Sequence, residues 1–250
     1  NAELHLYSRQ ILLAGWDIEA QEKLKLSNVL IVGCGGIGCT TAELLARAGV
    51  GQITLIDADS IEISNLQRQI AYTASDLGFY KAEILAKRLR QINPHIRVES
   101  YTQQLDIGNA EALISAQDLV LDGCDNFETR YLVNQTCKAS NVALISASAI
   151  GFQGQMFMLE GKSACYECLF PKQHDNESLR CADSGVLATT PNVMASLQAH
   201  HALLYLGLNL TPLKQKLLLW DGLTMKQRIL AFEIDTDCPI CQARQSADAD

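Results

Sequence analysis

The residues best suited to chemistry fall into three sets along the 250-residue chain. The first is Gly33-Cys34-Gly35-Gly36-Ile37-Gly38, in which Gly33, Gly35 and Gly38 fit the spacing G-x-G-x-x-G. Glycines at these places let the backbone turn tightly and approach a phosphate, whose charge is favoured by the N–H groups that open a helix. Asp57, further on, is of the type that accepts hydrogen bonds from ribose hydroxyls. The second set comprises Asp59, Ser64, Asn65, Gln67, Arg68 and Lys81, then the cluster Asp122, Asp125 and Asn126. A transferred AMP needs its triphosphate neutralised and the charge on the bridging oxygen stabilised, which calls for Arg, Lys and Mg²⁺. Arg68 and Lys81 suit that task, and Asp125 lies just past a strand's C-terminal end, where open α/β sheets place their ligands. A carboxylate that only caps the helix starting near Asn126 is the plainer alternative.

The third set is made of cysteines, of which the chain has nine. Cys165-Tyr166-Glu167-Cys168 and Cys238-Pro239-Ile240-Cys241 are two Cys-x-x-Cys knuckles far apart in sequence. Together they make a closed four-thiolate set, which reads as structural Zn²⁺ tying the C-terminal hairpin to a long loop. Two redox dithiols, or idle thiols, are the alternatives, but neither knuckle follows a thioredoxin-like strand and helix. Cys34, Cys39, Cys124 and Cys137 fall in core-like positions and read as small buried hydrophobes. The place of Cys34 in the glycine loop raises the expectation that nucleotide binding is sensitive to oxidation. His200 and His201 are adjacent on a helix and point different ways, so they read as structural or solvent-facing.

These groups need a scaffold, and the apolar pattern supplies one. A helical preface covers 1–27, with helices at 3–14 and 18–27. The β-branched run 28–32 is a strand buried on both faces that feeds the glycine loop; a helix at 36–48 and a strand at 53–57 follow. That unit has the length of a right-handed parallel crossover. The alternation continues with helices at 79–91, 109–115 and 126–139 and strands at 96–101, 118–122 and 142–148. The expected fold is therefore α/β, a Rossmann-like doubly wound and mainly parallel sheet over 28–150. Antiparallel strands at Gln153–Leu159, 216–220 and 228–232 and a helix at 192–206 complete a C-terminal part, 151–243. Residues 160–190 read as a long functional loop. The whole of 1–243 is expected to be one domain, with 244–250 a disordered tail.

A net charge of −8 argues against a general role on nucleic acid or a membrane surface. No apolar run approaches the roughly 20 residues that span a bilayer, and the start lacks the features of a secretory signal, so the cytoplasm is the expected compartment. The glycine motif alone leaves an NAD(P)-dependent oxidoreductase and an ATP enzyme both open, along with a non-catalytic scaffold of the same fold.

Taken in order, Gly33 to Gly38, Asp57, Ser64-Asn65-Leu66-Gln67-Arg68-Gln69, Lys81 and Asp125-Asn126 resemble the MoeB/ThiF (HesA/MoeB/ThiF) family of the ubiquitin-activating-enzyme superfamily. The likeness extends to Tyr7-Ser8-Arg9-Gln10-Ile11, Ser146 to Gly151 and the cysteine pairs. It implies a homodimeric adenylyltransferase that uses ATP and Mg²⁺ to activate the C-terminal glycine of a ubiquitin-fold sulfur carrier protein ending in Gly-Gly. Molybdopterin and thiamine biosynthesis are the usual settings, with a desulfurase or rhodanese as the sulfur source. The resemblance implies that Gly33, Gly35, Gly36, Gly38, Asp57, Asp59, Ser64, Asn65, Gln67, Arg68, Lys81, Asp125 and Asn126 surround the nucleotide. It also implies Mg²⁺ near Asp125, zinc on the four knuckle cysteines, and Arg9 reaching a partner subunit's site. Cys181 resembles a loop cysteine that in some members links covalently to the carrier and in others is dispensable. Against the oxidoreductase stand these basic residues, the knuckles and the lack of an evident nicotinamide-site acid and base.

Overall fold

The computed structural model describes residues 2–172 and 185–242; Cys181 and the expected tail 244–250 lie outside them. One sheet of eight strands runs through the molecule in the order β3-β2-β1-β4-β5-β6-β7-β8. Its strands are β1 Asn28–Val32, β2 Gln52–Ile56, β3 Arg97–Tyr101, β4 Leu119–Asp122, β5 Ala143–Ile150, β6 Gln153–Leu159, β7 Lys216–Asp221 and β8 Lys226–Ala231. The first five are mutually parallel, and β6, β7 and β8 follow, each antiparallel to the strand before it. The mixed, mostly parallel α/β sheet is the one the alternation implied.

Strand burial follows from the period of two. Along β1, Val29 and Ile31 join the apolar cluster on one face, while Leu30 and Val32 join that on the other. The first face is covered by α3 Asp17–Leu26, α4 Gly38–Ala48, α5 Lys81–Ile92 and α9 Thr189–Leu208. The second is covered by α6 Ala110–Ile114, α7 Phe127–Ser140 and the short α8 Tyr166–Leu169. The register decides where chemistry can occur: Val32 pairs with both Ile56 and Asp122. Three strands therefore end level, and the residues that leave them, Gly33, Asp57 and Gly123, emerge together at the carboxyl edge. Gly33 N–H bonds to the Ile56 carbonyl and Gly123 N–H to the Val32 carbonyl, each at 3.0 Å.

The preface departs from the single helix expected at 3–14. It is broken into α1 Ala2–Leu6 and α2 Ser8–Ile11. Tyr7 between them is pulled into the core, where its hydroxyl accepts a hydrogen bond from buried Asn93 Nδ2 at 2.7 Å. Helix α9 is longer than its apolar pattern suggested, since Thr190 and Pro191 at its start are buried against the site. The segment read as a loop from 160 contains α8, whose four residues are held between Cys165 and Phe170. Strand β8 is the sheet's edge and exposes all six residues. No helix among the described residues is long and apolar enough to cross a membrane.

Candidate functional site

The glycine loop leaves β1 and enters α4 across the carboxyl edge, and two close approaches require its glycines. Gly33 has φ of +87°, a left-handed conformation that other residues adopt only with strain. At Gly38 a Cβ would lie 1.8 Å from the Gly33 carbonyl oxygen, so the turn closes only on a hydrogen. Gly35 is different: a Cβ there would meet nothing within 4 Å except Gln69 Nε2 at 3.8 Å. Its open side faces a cleft of about 510 Å³.

That cleft gathers most of the residues singled out by type. Gly33, Gly35, Gly36, Asp57, Asp59, Asn65, Arg68, Lys81, Asp125 and Asn126 all line it. Gly38 lies behind the loop, and Ser64, Gln67 and Arg9 are exposed outside the lining. Cys181 is among the residues not described.

Asp57 fastens the loop to the next strand. One carboxylate oxygen accepts from Cys34 N–H at 2.6 Å and the other from Asp59 N–H at 2.7 Å. Each oxygen keeps a further lone pair for a ligand. Burial pushes its pKa upward, opposed by the Cys34 N–H and the charge of Lys81. Lys81 opens α5 and is nearly buried, yet its Nζ reaches the exposed Asp59 carboxylate at 2.7 Å. The ammonium is thereby held at the cleft wall by a partner that water, or a competing anion, can reach. Arg68 Nη1 donates to the Ser64 carbonyl at 2.9 Å, and its own carbonyl accepts from Asn192 Nδ2 at 3.1 Å. Asn65 is buried and its Oδ1 accepts from Glu62 N–H, closing a reciprocal cap on the 3₁₀ turn Ile63–Asn65.

Across the cleft, Asn126 rather than Asp125 caps α7, its Oδ1 accepting from Thr129 N–H at 2.8 Å. The Asp125 carboxylate is exposed and has no partner among the described residues, as a metal-binding carboxylate requires. Beneath it lies Asp122, the third polar group of this cluster at the end of β4. Asp122 is fully buried and accepts from Ser146 Oγ at 2.6 Å, Cys124 N–H at 2.9 Å and Arg130 Nε at 3.2 Å. Arg130 Nη2 also donates to the Cys124 carbonyl at 2.6 Å, so this buried pair sets the backbone that presents Asp125. Gln198 of α9 donates to the Asp122 carbonyl at 2.8 Å. The end of β4 marks Asp122 in the sequence; nothing local marks Pro191, whose ring backs Gly36.

Tyr72 is a further residue of this kind. Its hydroxyl donates to the Cys34 carbonyl at 2.8 Å and holds the loop from above. The Cys34 side chain itself turns into the core with no exposure, and burial, with Asp57 adding to it, drives the thiol pKa well above its ordinary value. A sealed, neutral thiol is a poor target for oxidants, which corrects the expectation of an oxidation-sensitive loop. Cys39 and Cys137 are buried as expected, whereas Cys124 lines the cleft.

The two cysteine knuckles meet on the second face of the sheet. All four sulfurs lie within 4.8 Å of one another, with Cys165–Cys238 and Cys168–Cys241 at 3.6 Å and Cys165–Cys168 at 3.9 Å. The cluster can hold a metal ion. Tyr166, between the first pair, lies with its ring centroid 5.7 Å from the Arg130 guanidinium and so joins this cluster to the floor of the cleft.

A family model described as the ThiF family matches residues 7–240. The chain belongs to the ThiF family. Among this family's curated members it is 39% identical over 241 residues to the molybdopterin-synthase adenylyltransferase of Escherichia coli (strain K12), covering 96% of each chain. To the sulfur carrier protein ThiS adenylyltransferase of the same organism it is 40% identical over 237 residues, covering 94% of each. Among solved structures, E. coli MccB with MccA-N7isoASN matches with a TM-score of 0.84 at 26% identity, over 96% of this chain and 75% of that one. E. coli MccB with ATP matches with a TM-score of 0.77 at 29% identity, over 90% and 68%. The ThiF fold thus carries the glycine loop, the basic residues and the cysteine cluster in one frame.

Proposed function

We propose that this chain adenylates the C-terminal glycine of a ubiquitin-fold sulfur carrier protein, consuming ATP and releasing pyrophosphate. The observation that carries the reading is the near end-to-end similarity to two carrier adenylyltransferases, combined with a cleft in which Arg68, Lys81 and Asp125 converge on the glycine loop.

The chemistry asks little of the enzyme as an acid or base. An α-carboxyl group has a pKa of about 3.3–3.7, so the carrier's terminus arrives ionised at neutral pH. A carboxylate oxygen forms a bond to the α-phosphorus, the bond from that phosphorus to the bridging oxygen breaks, and pyrophosphate leaves with the electron pair. The protein must align the two anions and disperse charge. Lys81 can exchange Asp59 for phosphate oxygens without leaving its place, and Arg68 lies on the same wall. The unpartnered carboxylate of Asp125 suits Mg²⁺, which would neutralise the phosphates. Asp57 retains lone pairs for ribose hydroxyls while holding the loop. Arg9, exposed and outside its own chain's cleft, is the residue a second subunit would contribute in a homodimer.

For the cysteine cluster we propose zinc. Tetrahedral coordination with Zn–S of about 2.3 Å places the sulfurs about 3.8 Å apart. The observed contacts of 3.6 to 3.9 Å match that spacing, and four thiolates leave no position open, so the role is structural.

The test is pyrophosphate exchange into ATP by the purified protein with Mg²⁺ and carriers of the molybdopterin and thiamine types ending in Gly-Gly. Exchange that depends on the carrier is expected; its absence with every carrier would overturn the reading. Activity with an added desulfurase or rhodanese then identifies the sulfur source.

A further inference from the structure

Gln69 is nearly sealed in the protein, at 3% exposure, yet it lines the cleft. Among the described residues its amide has no hydrogen-bond partner: Oε1 is shut away from solvent without a donor, and no acceptor meets Nε2. Buried side-chain amides are ordinarily satisfied, and an apolar side chain of similar volume would fill this place without stranding a polar atom. The backbone is meanwhile tightly fixed. Gln69 N–H donates to the Asn65 carbonyl at 3.0 Å, and its carbonyl accepts from Tyr72 N–H at 3.2 Å. Tyr72 in turn grips the glycine loop through the Cys34 carbonyl. The backbone that carries the amide is thus fixed beside the loop, with Nε2 left free to donate.

Its position says which ligand. Among the described residues, its chain neighbours aside, Nε2 is the one group within 4 Å of the point where Gly35 would carry a side chain, at 3.8 Å. The space between them is bounded on one side by the loop that opens the eleven-residue helix α4, where backbone N–H groups and the helix dipole favour a phosphate. On the other side is an amide donor with no acceptor among the described residues. We propose that Gln69 is a further phosphate-binding residue of the nucleotide site, its Nε2 donating to a non-bridging oxygen of a phosphate seated over Gly35. The assignment rests on the adenylation reading and adds to it a neutral donor that faces the charge without needing a counter-ion. A neutral amide also fits a wall that already holds Asp57 and Asp59, where a third carboxylate would repel the ligand.

The experiment compares the full-length wild-type protein with Gln69→Leu and Gln69→Glu by thermal melting without nucleotide and by calorimetric titration with ATP·Mg²⁺, AMP and adenosine. Gln69→Leu removes the stranded amide at similar volume, so it is expected to melt at or above the wild-type temperature. Its ATP affinity is expected to fall by about 10- to 100-fold, the range for a hydrogen bond to a charged group, with adenosine binding unchanged. Gln69→Glu should bind ATP no better than Gln69→Leu. A loss shared by AMP places the contact on the α-phosphate, and a loss confined to ATP places it on the β- or γ-phosphate. The proposal is overturned if Gln69→Leu binds ATP within about twofold of wild type, or if Gln69→Glu binds as wild type does. It is also overturned if Gln69→Leu melts lower and loses adenosine and ATP equally, the pattern of a purely structural amide. Failure of the wild-type protein to bind ATP would defeat the adenylation reading itself, a result distinct from all of these.

Discussion

Replacing Arg130 by Met tests whether the cleft rests on a buried charge pair. Arg130 and Asp122 retain only 7% and 0% side-chain exposure, and their contact is 3.2 Å. Burial tends to strip the charge from the guanidinium, but the Asp122 carboxylate, Cys124 and Tyr166 together outweigh it and hold the Arg130 pKa above its ordinary value. Methionine can fill much of the space beside Tyr166 and Phe127 but leaves the Asp122 carboxylate without a counter-charge. Stranding one member of a buried pair costs about 3–5 kcal/mol. With a urea dependence of about 3 kcal/mol per M for a chain of this size, the unfolding midpoint should fall by about 1–1.7 M. The Cys124 carbonyl loses its donor in the same step, so Asp125 is no longer fixed and Mg²⁺-dependent ATP binding weakens as well. Adding Asp122→Asn removes the stranded charge, and that double variant should recover at least a third of the lost stability while ATP binding stays impaired. The reasoning fails if Arg130→Met shifts the midpoint by less than about 0.3 M, or if the double variant is no more stable than the single one.

Three further outcomes follow from the same geometry. Gly38→Ala should cost at least the 1–3 kcal/mol of ordinary overpacking, since its Cβ would meet the Gly33 carbonyl at 1.8 Å. Gly35→Ala, with open space at that point, should fold normally and lose about 10- to 100-fold in ATP affinity; equal melting temperatures for the two would contradict this. Extraction by a chelator of the zinc proposed for the cysteine cluster should lower the melting temperature by several degrees and weaken ATP binding, because Tyr166 leans on Arg130; an unchanged melt after measured metal loss would refute it. His201 is half-buried, and desolvation, with His200 adding, pushes its pKa down to about 4. The unfolded chain then binds the proton more readily, so this contribution is complete above about pH 6.5 and is lost as pH falls towards 4. Urea midpoints at several pH values should flatten across that window in His201→Gln, and an identical pH profile would count against the assignment.

The strand and helix alternation was legible because each strand is buried on both faces and each helix on one, which writes periods of two and 3.6 into local sequence. The break at Tyr7 was not legible, because that residue leaves the helical pattern for a hydrogen bond with Asn93, far along the chain. The cleft shows the same division. Gly35, Asp57, Arg68, Lys81 and Asp125 declared themselves by type and order. Gln69 lay inside a stretch already noticed, yet only its burial without a partner, and its place in the lining, distinguish it from Ser64 and Gln67, which do not line the cleft.

By itself the sequence determined the mainly parallel α/β core, the glycine turn, the chemical inventory of the cleft and the two separate Cys-x-x-Cys knuckles, since each depends on residue type at short spacing. Only the tertiary structure decided that Cys34 faces inward, that Asp122 and Arg130 support the wall bearing Asp125, and that Tyr166 connects the cysteine cluster to that wall. Those contacts join residues remote in sequence through the level ends of β1, β2 and β4 and the burial of α7 and α8. Long-range packing of this kind leaves no periodic trace in a single chain, because it depends on which surfaces the folded sheet brings together.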